Sequence, residues 1–421
     1  MIDIKALRAN PEMYKTGLAR RGVGSEVIDQ LLANDEQRRE LMTKEQTLRA
    51  ESSAFSKRIG KASPEERPAL IEQNRALSDQ VEALKAQVAA FEATQQDILA
   101  TLPNLAHPDV PDGGEDDAVQ LFTFGTKPAF DFDVKDHVEL GTALGILDIE
   151  RAVKVAGSRF AFLLGDAVWL EFALVGHAMS VIESYGHKPA IPPVLSRAES
   201  LFGSGFLPGG REQIYHINDD DLYLVGTAEA PLAGMFADEI LNPEDLPLRM
   251  GGFSTCFRRE AGTYGKDMGG LFRVHQFDKV EMFSWVLPED SWDEHVRLRD
   301  IQVEILEGLG LHGQVVDIAV GDLGDPAARK YDLECWLPGQ NRYRELTSTS
   351  NCTDYQARRL GIRYRKEDGS TEILHTLNGT ACAVGRTIIA ILETHQRADG
   401  TVVLPDALAA RMGKEALVPT T

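Results

Sequence analysis

Hydrophobic positions near the N-terminus recur with a helical period. Leu41, Leu48 and Phe55 fall seven residues apart, and Ile59 follows four later. Beyond a break, Leu70, Asn74, Leu77, Val81, Leu84, Val88, Phe91, Gln95, Ile98 and Leu102 alternate steps of three and four. This heptad seam predicts two long helices over about 27–102, paired as an antiparallel coiled-coil hairpin. At about 1.5 Å per residue the second helix is about 50 Å long. The break, Gly60 to Glu66, reads as the turn. Gly60 ends one helix, Ser63 caps the next with Pro64 at its first position, and Glu66 completes a capping box. Ahead of the arm, Asp3 suits a first helix cap and Asn10-Pro11 the start of a second helix.

The pattern changes after Pro103. Residues 104–120 are rich in Pro, Gly and acid and read as a linker between an N-terminal domain, 1–103, and a body, 121–421. The body mixes short period-2 runs with apolar helices, an α+β arrangement. Leu140–Gly145 and Phe160–Leu164 are short elements. Asp166–Ser184 is a long apolar helix, followed by a strand ending in prolines, Lys188–Pro193. Phe253, Cys256 and Phe257 alternate, as do Phe272, Val274, Gln276, Val280 and Met282. They predict two antiparallel strands joined by a Gly-rich loop containing Gly262, Gly265, Gly269 and Gly270.

Composition narrows the class. Of 421 residues, 43% are hydrophobic and 26% charged, as expected of a globular chain of two or three domains. The cysteines, Cys256, Cys335, Cys352 and Cys382, are scattered without a C-x-x-C pair. They predict reduced thiols in a cytoplasmic protein and no zinc site. The charged start, MIDIKALRANPEMYK, is no signal peptide, and the apolar run Ala167–Ile182 carries Glu171 and His177, so no membrane span is expected. The net charge of −21 argues against a nucleic-acid partner, unless basic residues gather locally. They do on the distal arm, where Lys44, Arg49, Lys57, Arg58 and Lys61 face only Glu45 and Glu51. A positive tip suits a phosphate backbone, although a heptad hairpin serves equally as a spacer or dimerisation element.

Four polar strings carry the candidate chemistry. Arg258, Arg259 and Glu260 end one strand, and Arg273 and Phe277 start its partner: an anion clamp beside an aromatic plate. Glu281 shares a strand face with Phe277 and Lys279, and its carboxylate suits an ammonium group. Gly226 to Leu232 offers Thr227 and Glu229, and reads equally as a helix start capped by Thr227. In Asn341 to Cys352, Glu345 and Thr347 share a strand face with Ser348 on the other or on a following bend. Glu345 with Ser348 nevertheless supplies the hard oxygens magnesium takes. Near the C-terminus, Leu377 to Arg386 precedes an apolar helix, which with Arg386 at its start suits a triphosphate. The chain has no Ser-His-Asp arrangement, no H-E-x-x-H and no Walker ending.

Phe257-Arg258-Arg259-Glu260, with Arg273-x-x-x-Phe277 beyond its loop, resembles motif 2 of class II aminoacyl-tRNA synthetases. RVHQFDKVEMF and DLECWLPGQNRYRELTSTSNCTDYQARR are similar to the seryl-tRNA synthetase family specifically, and the likeness extends over the whole chain. Motif 1 corresponds to Asp166–Pro193 and motif 3 to Leu377–Arg386. The chain departs from the family at Thr349, at Ala228 and Ala230, and at Ala381-Cys382. The resemblance implies a catalytic domain on a mostly antiparallel sheet flanked by helices, and an arm that grips tRNA. It implies that L-serine and ATP form seryl-adenylate, and that the seryl group passes to tRNA(Ser), with tRNA(Sec) a second candidate. Arg258, Glu260 and Arg386 are the implied catalytic groups. Arg259, Arg273, Val274, Phe277, Glu345, Leu346, Thr347 and Ser348 join them around ATP, with Glu345 and Ser348 on Mg2+. Thr227, Ala228, Glu229, Arg258, Glu281, Asn378 and Thr380 are the implied serine-site residues, Thr380 reading the hydroxyl. Motif 1 implies a homodimer. The rival readings are a ligase that loads an amino acid onto a carrier protein, and a non-catalytic paralogue.

Overall fold

The computed structural model describes residues 1–262 and 269–420; Gly265 of the expected Gly-rich loop lies outside them. The chain divides into two compact units, Met1–Leu105 and Ala106–Thr421.

In the first unit, α1 (Ile4–Ala9) and α2 (Pro11–Ala19) precede the long helices α3 (Ser25–Ile59) and α4 (Arg67–Thr101). Asp3 caps α1, accepting from the Lys5 N–H at 2.8 Å. The expected capping box forms: Ser63 Oγ donates to Glu66 Oε2 at 2.9 Å, and the Glu66 N–H donates to Ser63 Oγ at 3.4 Å. The regular helix starts only at Arg67, because residues 64–66 form a turn. All the seam positions expected from Leu41 to Leu102 are buried or half-buried, so the heptad spacing sets the pairing face. Its polar members are matched across the hairpin. Ser52 Oγ donates to Asn74 Oδ1 at 2.9 Å, and Gln95 Nε2 to the buried Asp35 at 3.4 Å. Lys44, Arg49, Lys57, Arg58 and Lys61 are all exposed.

The second unit is built on one eight-stranded sheet. Its strands are β1 (Val119–Phe124), β2 (Lys188–Ala190), β3 (Leu248–Phe257), β4 (Gln276–Val286), β5 (Gly313–Asp317), β6 (Arg329–Leu337), β7 (Arg342–Asn351) and β8 (His375–Ala383). They lie in the order β1-β5-β6-β7-β8-β4-β3-β2, antiparallel except for β2 on β3. Helices α5 (Asp166–Ser184), α6 (Ser291–Gly308) and α7 (Val384–Thr394) cover one face. Leu170, Leu174, Ile301, Ile305 and Ile389 meet Val280, Met282 and Leu333 there in the main core. On composition α5 is apolar and long enough to cross a membrane; instead its Leu170–Ile182 edge packs into this core.

Two expectations change. The 104–120 stretch is not a free linker. Val110 packs in a cluster with Val316, Ile318 and Val320, and the Val320 N–H donates to Pro111 O at 2.8 Å. Pro and Gly here direct a chain that follows the body. Second, β4 begins at Gln276 rather than Phe272, whose ring is buried outside the strand.

Candidate active site

The face of the sheet opposite the three helices opens into a cavity of about 660 Å³. Strand alternation builds its wall. On β4, Val280 and Met282 enter the core, so Phe277, Lys279 and Glu281 face the cavity. Two bulges adjust the neighbouring strands. On β7, Thr347 pairs with Leu333 but Glu345 pairs with Glu334, leaving Leu346 as an extra residue. On β8, Cys382 pairs with Val280 but Thr380 pairs with Glu281, so Ala381 is extra. A bulge re-aims the side chains beyond it. Glu345 and Ser348 therefore share the cavity wall, contrary to plain alternation, while Thr347 is buried away from it, 1% exposed.

Of the residues named from the sequence, Thr227, Glu229, Arg258, Glu260, Arg273, Val274, Phe277, Glu281, Glu345, Leu346, Ser348, Asn378, Thr380 and Arg386 line this one cavity. Arg259, Thr347 and Ala228 do not. Arg259 is exposed, its N–H held by Gln213 O at 2.9 Å, and Ala228 is buried against Gly252.

One end of the cavity is cationic. The Arg258 guanidinium lies 5.2 Å from the Phe277 ring centre, and its Nε donates to Gly226 O at 3.3 Å. Arg273 Nη1 donates to Glu260 Oε2 at 2.6 Å. Arg386 and Arg344 both contact the Phe272 ring, at 4.6 and 3.6 Å from its centre. Arg386 Nη1 reaches Glu345 O at 2.9 Å and Glu345 Oε2 at 3.3 Å. Burial would raise the Glu345 carboxyl. Arg386, Lys330 and then Arg258 outweigh it and pull it down to about 2.

The other end is acidic and tightly packed. Thr227 Oγ1 donates to Glu281 Oε2 at 3.1 Å and accepts from the Glu229 N–H at 3.2 Å, so the hydroxyl ties the start of the short helix Glu229–Ala233 to the wall. Thr380 Oγ1 donates to Glu281 Oε2 at 3.4 Å, and Lys279 forms an ion pair with the same carboxylate. Glu229 Oε1 accepts from Gln356 Nε2 at 2.8 Å and Asn378 Nδ2 at 3.0 Å. Burial, then repulsion from Glu281, pushes the Glu229 carboxyl up to about 7.

Several supporting residues escaped the sequence reading. Gln302 on α6 spans the core to donate to Ser348 O at 2.7 Å and Thr380 O at 2.8 Å, pinning both bulged strands. His137 Nε2 accepts from the Leu271 N–H at 3.3 Å, and its Nδ1 lies 3.0 Å from the buried Glu393. That contact holds the Leu271–Phe272 wall. Lys330 also faces the cavity, with its ammonium 2.9 Å from Asp332. These partners come from remote segments and carry no local motif; only Lys279, inside HQFDKVE, was visible beside a named residue.

Magnesium takes hard oxygens, with one or two carboxylates beside phosphate. An ionised Glu345 and the Ser348 hydroxyl on one wall fit that donor set. Among the described residues no group of three or more His, Cys, Asp or Glu is arranged around a metal position, and the four cysteines are buried and form no disulfide.

Comparison with known proteins shows what the chain resembles. Residues 1–106 match the seryl-tRNA synthetase N-terminal domain, and residues 213–395 the tRNA synthetase class II core domain (G, H, P, S and T). A serine–tRNA ligase of Rhodococcus jostii is 49% identical over 419 residues, covering 100% of both chains. The crystal structure of seryl-tRNA synthetase from Pyrococcus horikoshii complexed with ATP aligns with a TM-score of 0.95 at 40% identity, over 100% of both chains. That of a cytoplasmic serine–tRNA ligase from Naegleria fowleri in complex with AMP aligns at 0.88 and 31% identity, over 98% of this chain and 96% of the other.

Proposed function

The chain belongs to the seryl-tRNA synthetase family of class II aminoacyl-tRNA synthetases, and from that premise we propose how its cavity divides the work. ATP occupies the cationic end and L-serine the acidic end. The observation that carries this assignment is the opposed polarity of one cavity: Lys330 and Arg386 act on Glu345 toward one side, Glu229 and Glu281 repel each other toward the other, and Arg258 acts on both Glu345 and Glu229.

Arg258 sits between the two ends and holds the α-phosphate and the reacting carboxylate together. The serine carboxylate attacks the α-phosphorus, and the bond to the bridging oxygen of pyrophosphate breaks. Such a displacement needs alignment and charge neutralisation more than an acid–base pair. Phe277 and Glu260 flank adenine, and Arg386 takes the γ-phosphate. A magnesium ion held by Glu345 and Ser348 would supply further charge neutralisation at the triphosphate. Glu281 and Glu229 receive the α-ammonium, and Thr380 the side-chain hydroxyl. A pocket that hydrogen-bonds a hydroxyl rejects alanine, which leaves those groups unpaired. The 3′-terminal ribose hydroxyl of tRNA then attacks the seryl carbonyl, the acyl–phosphate bond breaks and AMP leaves.

The exposed basic residues of the arm read the backbone of tRNA(Ser), with tRNA(Sec) a further candidate. Trp169 and Phe172 are 63% and 58% exposed on α5, an apolar face that suits a second copy of the chain in a cytoplasmic homodimer. Amino-acid-dependent ATP–pyrophosphate exchange tests the central reading. Exchange is expected with serine and at most traces with alanine, glycine, cysteine or threonine. Exchange driven by glycine or alanine would replace it with carrier loading, and no exchange from folded protein with magnesium would remove the catalytic reading.

A further inference from the structure

Among the described residues Lys279 is the one lysine lining the serine end, and the displacement described above gives it no role. It lies two residues before Glu281 on β4, so both side chains point into the cavity. Their side chains are 8% and 2% exposed. The lysine pairs with Glu281 and also donates to Thr380 Oγ1 at 3.4 Å. Thr380 in turn donates to Glu281 Oε2, which closes a three-membered ring of buried groups. Thr227 adds its hydroxyl to the same oxygen at 3.1 Å. Among the described residues every hydrogen bond to Glu281 falls on Oε2, leaving Oε1 for a ligand.

Charge balance gives this ring a purpose. Glu229 and Glu281 are near enough to repel, and burial together with that repulsion opposes the ionisation of Glu229. Two buried carboxylates without a cation share a proton, and a protonated carboxyl is a poor partner for an ammonium group. One lysine neutralises one carboxylate and leaves a single negative charge for the single positive charge of the incoming α-ammonium. It also orients the Thr380 hydroxyl, which accepts from Lys279 and so turns its proton toward Glu281.

We propose that Lys279 is a specificity-determining positioning residue: acting through Glu281 and Thr380, it sets the charge and orientation with which the pocket reads a hydroxyl amino acid. The proposal rests on the assignment of this end to serine. Arginine does not replace it, because a planar fork fits neither the volume nor the point contact of the ammonium.

The experiment is pyrophosphate exchange with wild type, Lys279→Met, Glu281→Gln and the double variant. Serine-dependent exchange by the wild type first establishes the assignment on its own; its failure would sink that assignment whatever the variants do. Lys279→Met is expected to raise the serine KM by about 30-fold or more, the effect of stranding a buried charge. The ATP KM should stay within about two-fold, and the preference for serine over alanine should shrink about tenfold. The fall of the serine KM with rising pH, expected of the wild type through Glu229, should extend to higher pH in the variant, because Glu229 loses the ammonium that lowers its carboxyl. In the Glu281→Gln background the same lysine substitution should change the serine KM less than about two-fold. That double variant removes both charges together, so it reports even where Lys279→Met alone folds poorly. Equal rises in the KM for ATP and serine with an unaltered pH profile, or multiplicative effects in the double variant, would overturn the proposal.

Discussion

Two glutamates of one cavity titrate on opposite sides of the ordinary range. Glu345 is held at about 2 and Glu229 is pushed up to about 7. Burial acts on both in the same direction, so it does not distinguish them. Their neighbours do. Glu345 faces Arg386 and Lys330, and Glu229 faces Glu281, with Lys279 only partly offsetting it. The cavity is thus a dipole built from side chains, prepared for a polyanion at one end and an ammonium at the other. Preorganised charge of this kind is what an adenylation step requires, since the reacting carboxylate and phosphate repel in water. The arginines are also fixed in orientation: Arg258 lies on Phe277, and Arg386 on Phe272. A guanidinium stacked on a ring keeps its fork free in one plane.

The largest break in this comparison comes from the residue between the ends. Arg258→Ala should lower kcat/KM for exchange about 1,000-fold, the scale seen when a transition-state donor is removed. The loss should appear in kcat as well as in both KM values, because Arg258 touches both substrates in the proposed complex. A change below tenfold would place the reacting atoms elsewhere. Glu345→Gln comes next, at about 100-fold. The magnesium concentration for half-maximal exchange should rise with it, and the serine KM should move little. A variant with unaltered magnesium dependence would remove Glu345 as the metal ligand.

How far these ends were legible in sequence depends on what each residue relies on. The arm followed from heptad spacing because its seam is a property of one segment. Phe277 and Glu281 were readable for the same reason, since strand alternation on β4 places them by local rules, and Arg258 because it directly follows the end of β3. Alternation failed on β7, where it paired Glu345 with Thr347. An extra residue at Leu346 has no signature of residue type, so the bulge that joins Glu345 to Ser348 was invisible. The 104–120 stretch misled through composition, since Pro and Gly mark a turn in a packed chain as readily as a free linker. Gln302, Gln356 and His137 were silent because each contact spans a long interval and answers a backbone or carboxylate need that only the folded sheet creates.

The smallest effect is the most direct test of the contrast, because it needs no mutation. With its free-enzyme carboxyl at about 7, Glu229 holds a proton in part of the population at pH 6 and loses it by pH 8. The sign for folding follows from the raised value. The protonated carboxyl favours the fold at low pH, and that contribution is lost as pH rises through about 7. Serine binding runs the other way. The arriving ammonium lowers the carboxyl and expels its proton, so binding strengthens as pH rises. The serine KM should therefore fall about tenfold from pH 6 to pH 8 and flatten above, a decade per pH unit below the free-enzyme value. The ATP KM should show no matching step, because Glu345 stays ionised across that interval. Glu229→Gln should flatten the serine profile at an elevated KM. A serine KM flat from pH 6 to pH 8 in the wild type would mean that Glu229 is already ionised, and that the two ends differ less than their surroundings imply.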